Sequence, residues 1–300
     1  MTQPIDSPDL GQAEANLEKL FTEVTTQEAF LAGGTPLSFG GGTPLSLGAA
    51  NIKELMETKI SLGNPRDKLV KLKEGNFKLD SSDTYDFYYT TIAVSLIPKP
   101  ATRFWRLTFQ LDFGPKGGKE PIIQKIFPIQ QWRSVMTFGV GMDIGLDENL
   151  DWTAEVDSSQ LPFVSQSLPG ELKAKIDSKT DFNGFLAVPS FKYELGNPQI
   201  TATGENNSFC YWRIEDQQIQ KIGTAKFAIV FKVPKGVDSI TLTGKAWAEV
   251  DMNWLTADIR DVAGALTDSL KGILRQGNQG ANQLSQGIAE EWQLQLPTEN

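Results

Sequence analysis

Between about Lys68 and Trp254, apolar and polar side chains change places every second residue. Trp105, Leu107, Phe109, Leu111 and Phe113 alternate with Arg106, Thr108, Gln110 and Asp112, and Leu242, Ala246, Ala248, Val250, Met252 and Trp254 with Thr241, Thr243, Lys245, Trp247, Glu249, Asp251 and Asn253. Phe227, Ile229, Phe231 and Val233 alternate more loosely with Lys226, Ala228, Val230 and Lys232. Only an extended strand puts alternate residues on opposite faces, and one wet and one buried face marks an antiparallel sheet. Further strands are expected at Asp86–Ile97, Ile122–Phe127, Met136–Leu146, Leu172–Ile176, Gly184–Leu195, Gln199–Thr203 and Phe209–Ile214. About ten strands with turn residues between them and no helical crossover predict a mainly β fold, an antiparallel β-sandwich or jelly roll.

The ends follow a different period. Leu10, Ala13, Leu17, Leu20, Phe21 and Val24 fall at helical spacing, and a short helix is expected near Ile52–Ile60. Between them, Gly33–Gly40 and Gly41–Gly48 are two octads identical except for Phe39 and Leu47. Each octad carries a proline and several glycines, so the helix cannot continue through them. At the other end, Ile259, Val262, Ala263, Leu266, Leu270, Ile273 and Leu274 form one apolar stripe, and Ala281, Leu284, Ile288 and Trp292 a second. The organisation expected is helices with a glycine-rich arm (31–50) over 1–66, a first β unit over 67–157, a second over 170–255, and amphipathic helices over 256–300. A faint echo of Phe104–Leu107 in Tyr211–Ile214 leaves open whether the β units are one sandwich or two related ones.

Composition narrows the chemistry. Among 300 residues there is no histidine and one cysteine. That excludes Ser-His-Asp and Cys-His catalysis, histidine zinc or iron sites, an intrachain disulfide and cysteine-cluster metal sites. No phosphate-binding glycine loop precedes a helix, and no cofactor is implied. The formal charge of −9 opposes binding to nucleic acid through bulk electrostatics. The N-terminal residues lack the positive start and apolar core of a secretion signal, and no uncharged apolar run approaches a spanning helix, so a cytoplasmic location is expected.

Carboxylates remain as the abundant reactive groups. Period two would put Glu249, Asp251 and Asn253 on one strand face beside Trp247, neighbouring Cα atoms roughly 7 Å apart. Such a face suits glycan binding or glycoside hydrolysis. The strand resembles the Glu-x-Asp-x-x-Glu strand of the lectin-like retaining glycosidases in its first three positions, but Trp254 stands where the third carboxylate belongs. Trp247 and Trp152 are the rings expected to be exposed. Asp143, Asp147, Glu148 and Asp151, around Gly145, are candidate oxygen ligands for calcium, without the spacing of an EF-hand. Leu37, Phe39, Leu45 and Leu47 would make the arm apolar. In Phe138–Leu146, large apolar residues alternate mostly with glycine, a pattern that also suits a membrane-inserting hairpin. The expected function is a non-enzymatic binding or assembly protein that engages a protein partner or another copy of itself; a glycan-binding or glycan-active sandwich and a membrane-inserting pore former are the alternatives.

Overall fold

The computed structural model describes residues 7–31, 47–72, 84–114, 118–127, 133–137, 143–146, 185–187, 199–216, 219–221 and 223–297. The chain opens with helices α1 (Leu10–Leu31) and α2 (Leu47–Met56). Strands β1 (Lys59–Leu62), β2 (Val70–Lys71), β3 (Tyr85–Ile97), β4 (Phe104–Asp112) and β5 (Ile122–Phe127) follow. Next come β6 (Arg133–Thr137), β7 (Asp143–Leu146), β8 (Phe185–Ala187), β9 (Gln199–Thr203), β10 (Phe209–Glu215), β11 (Thr224–Pro234) and β12 (Ser239–Val250). Helices α3 (Met252–Asp258) and α4 (Asp268–Arg275) precede the last strand, β13 (Gln286–Gln295).

The fold is mainly β, with antiparallel sheets and short helices. The first sheet has the order β1-β3-β11-β5, with β2 also on β3, and the second has β13-β12-β4-β10-β9. They face each other through the apolar residues that the alternation set aside. The Phe227 ring centroid lies 5.0 Å from those of Phe109 and Trp212, and Phe113 lies 4.8 Å from Phe231. Leu17, Leu20 and Val24 of α1, Ala49, Ile52 and Leu55 of α2, and Met252 and Leu255 of α3 join the same core. Each large apolar side chain so buried contributes on the order of 1.5–3 kcal/mol.

Strands from both expected β units interleave. β4 lies between β12 and β10, and β3 between β1 and β11. The echo between Phe104–Leu107 and Tyr211–Ile214 falls on β4 and β10, direct neighbours in one sheet.

The first sheet also has apolar residues on its outward face. Leu72, Phe87, Tyr89, Phe127, Ala228 and Val230 form a second buried cluster there. That explains the loose alternation of β11: Ala228 and Val230 are as buried as Phe227 and Ile229.

Two expectations are corrected. The second apolar stripe near the C-terminus is not one helix: Ala281 and Leu284 lie in a 3-10 turn, whereas Ile288 and Trp292 lie in a strand, because β12 offers an edge and ten residues of β13 pair with it in unbroken register. Alternation then carries Trp292 and Leu294 into the core, and the Trp292 ring lies against Gly244, where a Cβ would come within 2.6 Å of it. The strand expected over Met136–Leu146 is two strands, β6 and β7, paired antiparallel with Val135 opposite Ile144. With β8 they form a separate three-stranded sheet in the order β7-β6-β8. The strand expected at Leu172–Ile176 lies outside the described residues.

Candidate functional site

The register of the second sheet assembles the most polar cluster around the strand singled out above. Glu249 of β12 pairs with Arg106 of β4, and Arg106 with Glu215 of β10. All three point away from the core, because the alternate positions Ala248, Leu107 and Ile214 are buried in it. The Arg106 guanidinium bridges both carboxylates, at 2.8 Å from Glu215 Oε1 and 3.1 Å from Glu249 Oε2. It also lies 3.8 Å from the centroid of the Trp105 ring. Trp247 Nε1 donates to Glu249 Oε1 at 3.3 Å.

Glu249 is only 4% exposed. Burial pushes its carboxyl pKa up, against the pull of Arg106 and the Trp247 hydrogen bond, which favour the charged form. Ion pairing alone would lower it, so desolvation dominates here. Two and four positions further along β4, and on its neighbour, Thr108 Oγ1, Gln110 Oε1 and Arg213 Nε are buried without a hydrogen-bond partner. Arg213 stands directly opposite Thr108.

Trp247 is not an exposed ring, for it is fully buried. The residues before α1 cover that side of β12: Lys245 Nζ donates to Ser7 Oγ at 2.6 Å and to the carbonyl of Pro8. The same amine sits 5.7 Å from the Trp247 ring centroid. Burial lowers the Lys245 pKa, partly countered by Asp9. Gly287 of β13 makes this approach feasible. A Cβ there would come 2.5 Å from Leu10, 2.8 Å from the Ala246 carbonyl and 2.9 Å from the Trp247 Cβ.

The expected carboxylate face ends early. A register shift between Glu249 and Val250 closes the strand. Asp251 caps α3, its Oδ1 accepting from the backbone N–H groups of Asn253 and Trp254 at 3.0 and 3.3 Å. Asn253 lies in the first turn of that helix. Glu249, Asp251 and Asn253 therefore do not share a face, and a glycan has neither the Trp247 ring nor a row of carboxylates to meet. Chemically, the Arg106 cluster is a two-carboxylate clamp that ties β10, β4 and β12 together.

Asp143 is the first residue of β7, opposite Met136. Asp147, Glu148, Asp151 and Trp152 lie outside the described residues, as do Leu37, Phe39 and Leu45. Among the described residues, no group of three or more acidic or cysteine side chains is placed to hold a metal ion. Leu47 is the first residue of α2 and is 70% exposed. Phe30 and Leu31, at the end of α1, are 77% and 66% exposed. Gly48 brings the two helix ends together, since a Cβ there would come 2.9 Å from the Glu28 carboxylate. Sequence reasoning missed Arg106 as the partner of Glu249, and Glu215 as the second carboxylate on Arg106. The one available signal was their position on the polar side of alternating strands.

No protein-family model and no curated protein matches the chain. Among solved structures it is similar to a protein described as a pore forming protein, at 7% identity, over 64% of this chain and 78% of that one, with a TM-score of 0.35. It is similar to Clostridium perfringens delta-toxin at 10% identity, over 62% and 85%, with a TM-score of 0.31. The collagen-binding domain of a Staphylococcus aureus adhesin aligns at 10% identity over 61% and 85%, with a TM-score of 0.21. Likenesses of this degree carry no function across. Among the described residues, no helix is long and apolar enough to cross a membrane.

Proposed function

We propose that the chain is a non-enzymatic assembly protein that engages a protein partner or further copies of itself through the apolar end where α1 meets α2. The observation that carries this reading is the exposure of Phe30, Leu31 and Leu47 at the neighbouring ends of the two helices: they are three of the four large hydrophobic residues exposed among the described residues. Water-exposed apolar groups clustered in one place are the usual mark of an interaction surface. In support, Arg106 pairs with both carboxylates of its cluster, Glu215 and Glu249. The test is size-exclusion chromatography with light scattering and chemical cross-linking of the full chain against a variant with Phe30→Asp, Leu31→Asp and Leu47→Asp. Oligomers or complexes of the parent that the triple variant loses are expected. Identical behaviour of the two proteins overturns the reading.

A second reading, membrane insertion, is favoured by one observation. The sheet β7-β6-β8 shares no strand with the sandwich and belongs to the stretch between β5 and β9. That stretch contains Phe138–Leu146, with glycine at 139, 141 and 145 between large apolar residues. Release of a trapped dye from phosphatidylcholine–phosphatidylserine vesicles at about micromolar protein tests it, and vesicles that stay sealed overturn it.

A further inference from the structure

β13 is the outermost strand of the second sheet, and among the described residues it pairs with β12 alone. Its free side follows from the register. The Leu296 amide donates to the Asp238 carbonyl at 2.9 Å, so Leu296 and Asp238 form a hydrogen-bonded antiparallel pair. Hydrogen-bonded and non-hydrogen-bonded pairs alternate along such a ladder. Leu294, Trp292, Glu290 and Ile288 therefore bond β12, whereas Gly287, Ala289, Glu291, Gln293 and Gln295 turn their amides and carbonyls to the open edge. All five are exposed.

Sheet edges are usually guarded by proline, charged side chains or a bulge. β13 has no proline and no bulge over its ten paired residues, and its charges are Glu290 and Glu291, so a strand pairing with it must keep like charges from facing these carboxylates. Beside its C-terminal half lies a groove of about 510 Å³, walled by Arg66 and Leu69 on one side and by Gln293, Gln295 and Pro297 on the other.

We propose that β13 pairs antiparallel with β13 of a second copy of this chain, in the register that puts Trp292 on the two-fold axis. Charge narrows the register. Centring on Glu290 or on Glu291 would set like charges directly opposite each other, which destabilises a ladder. Centring on Trp292 sets Glu291 of one copy opposite Gln293 of the other, beside the groove that Arg66 lines. By symmetry each Arg66 then meets the other copy's Glu291, the isologous contact expected of a two-fold dimer. The outward amides of Ala289, Glu291, Gln293 and Gln295 gain partners at the same time. The contact uses neither α1 nor α2 and so goes beyond the preceding reading.

Light scattering and sedimentation of the full chain at about 10–100 µM test this. The expected mass is twice 33.0 kDa. Glu291→Arg or Arg66→Glu alone weakens the dimer by about tenfold or more, and the two together restore it. Gln293→Pro abolishes it while the chain stays folded by circular dichroism, because that amide points away from β12 and its loss leaves the internal ladder intact. A chain that is monomeric throughout, or a dimer unaffected by all of these changes, overturns the proposal. Association that disappears with the Phe30, Leu31 and Leu47 substitutions but survives the β13 substitutions sinks this dimer and leaves the preceding reading standing.

Discussion

The Glu249 carboxylate takes its hydrogen bond from Arg106 at 3.1 Å in a place so dry that its pKa still rises above the ordinary 4.5. A carboxyl group whose folded pKa exceeds its unfolded value binds more protons in the native state across that interval. Its contribution to stability is therefore full below the unfolded pKa and is lost as pH rises through the folded one. Glu249→Gln removes this titration. The melting temperature of the variant relative to the parent is expected to be higher at pH 7 than at pH 4. A difference independent of pH would show that Glu249 titrates normally.

Gly287→Val should push Leu10 and the chain before α1 off β12, since the added carbon meets the Ala246 carbonyl as well as side chains. A cost of about 1–3 kcal/mol in urea unfolding is expected. A red shift of tryptophan emission, as water reaches Trp247, would accompany it.

Asp251→Ala removes the acceptor for the first amides of α3. The expected loss is about 1 kcal/mol, and Asp251→Asn should recover most of it. Chemical denaturation of the two variants side by side reads the difference.

Val230 is 1% exposed although it faces away from the main core. Val230→Asp would bury an unpaired charge and should cost about 3 kcal/mol or more. Lys226→Asp, on the same face of β11 but exposed, should cost less than about 0.5 kcal/mol. Equal effects at the two positions would mean that the outward cluster is not packed.

Where turn residues bound the segment, the strands were readable to the residue, as β5 and β9 show, although β5 has no strict alternation. Alternation misled at Asp251 and Asn253, where polar residues continued the pattern after the register shift had ended the strand. Asp251, three residues before Trp254 and ahead of Leu255, also fits a helix cap, and the cap won. β13 was misread because Ile288 and Trp292 continue, at a spacing of four, the helical run of Ala281 and Leu284, and that spacing fits one face of a strand as well. Only the unpaired edge of β12 decides between them. The cluster around Glu249 was out of reach for a different reason: Arg106 lies 143 residues before Glu249 and 109 before Glu215. Such pairs are created by register, which local spacing does not encode.

The place of β4 between β10 and β12 sets a condition on synthesis. When β4 leaves the ribosome, both of its neighbours are still untranslated; it keeps two open edges until Glu215 has emerged and one until Val250 has. Pairings this distant in sequence form slowly and leave strand edges available for wrong partners. The nascent first half is thus a natural client for a chaperone, and stop codons before β12 should yield aggregates and not smaller folded proteins.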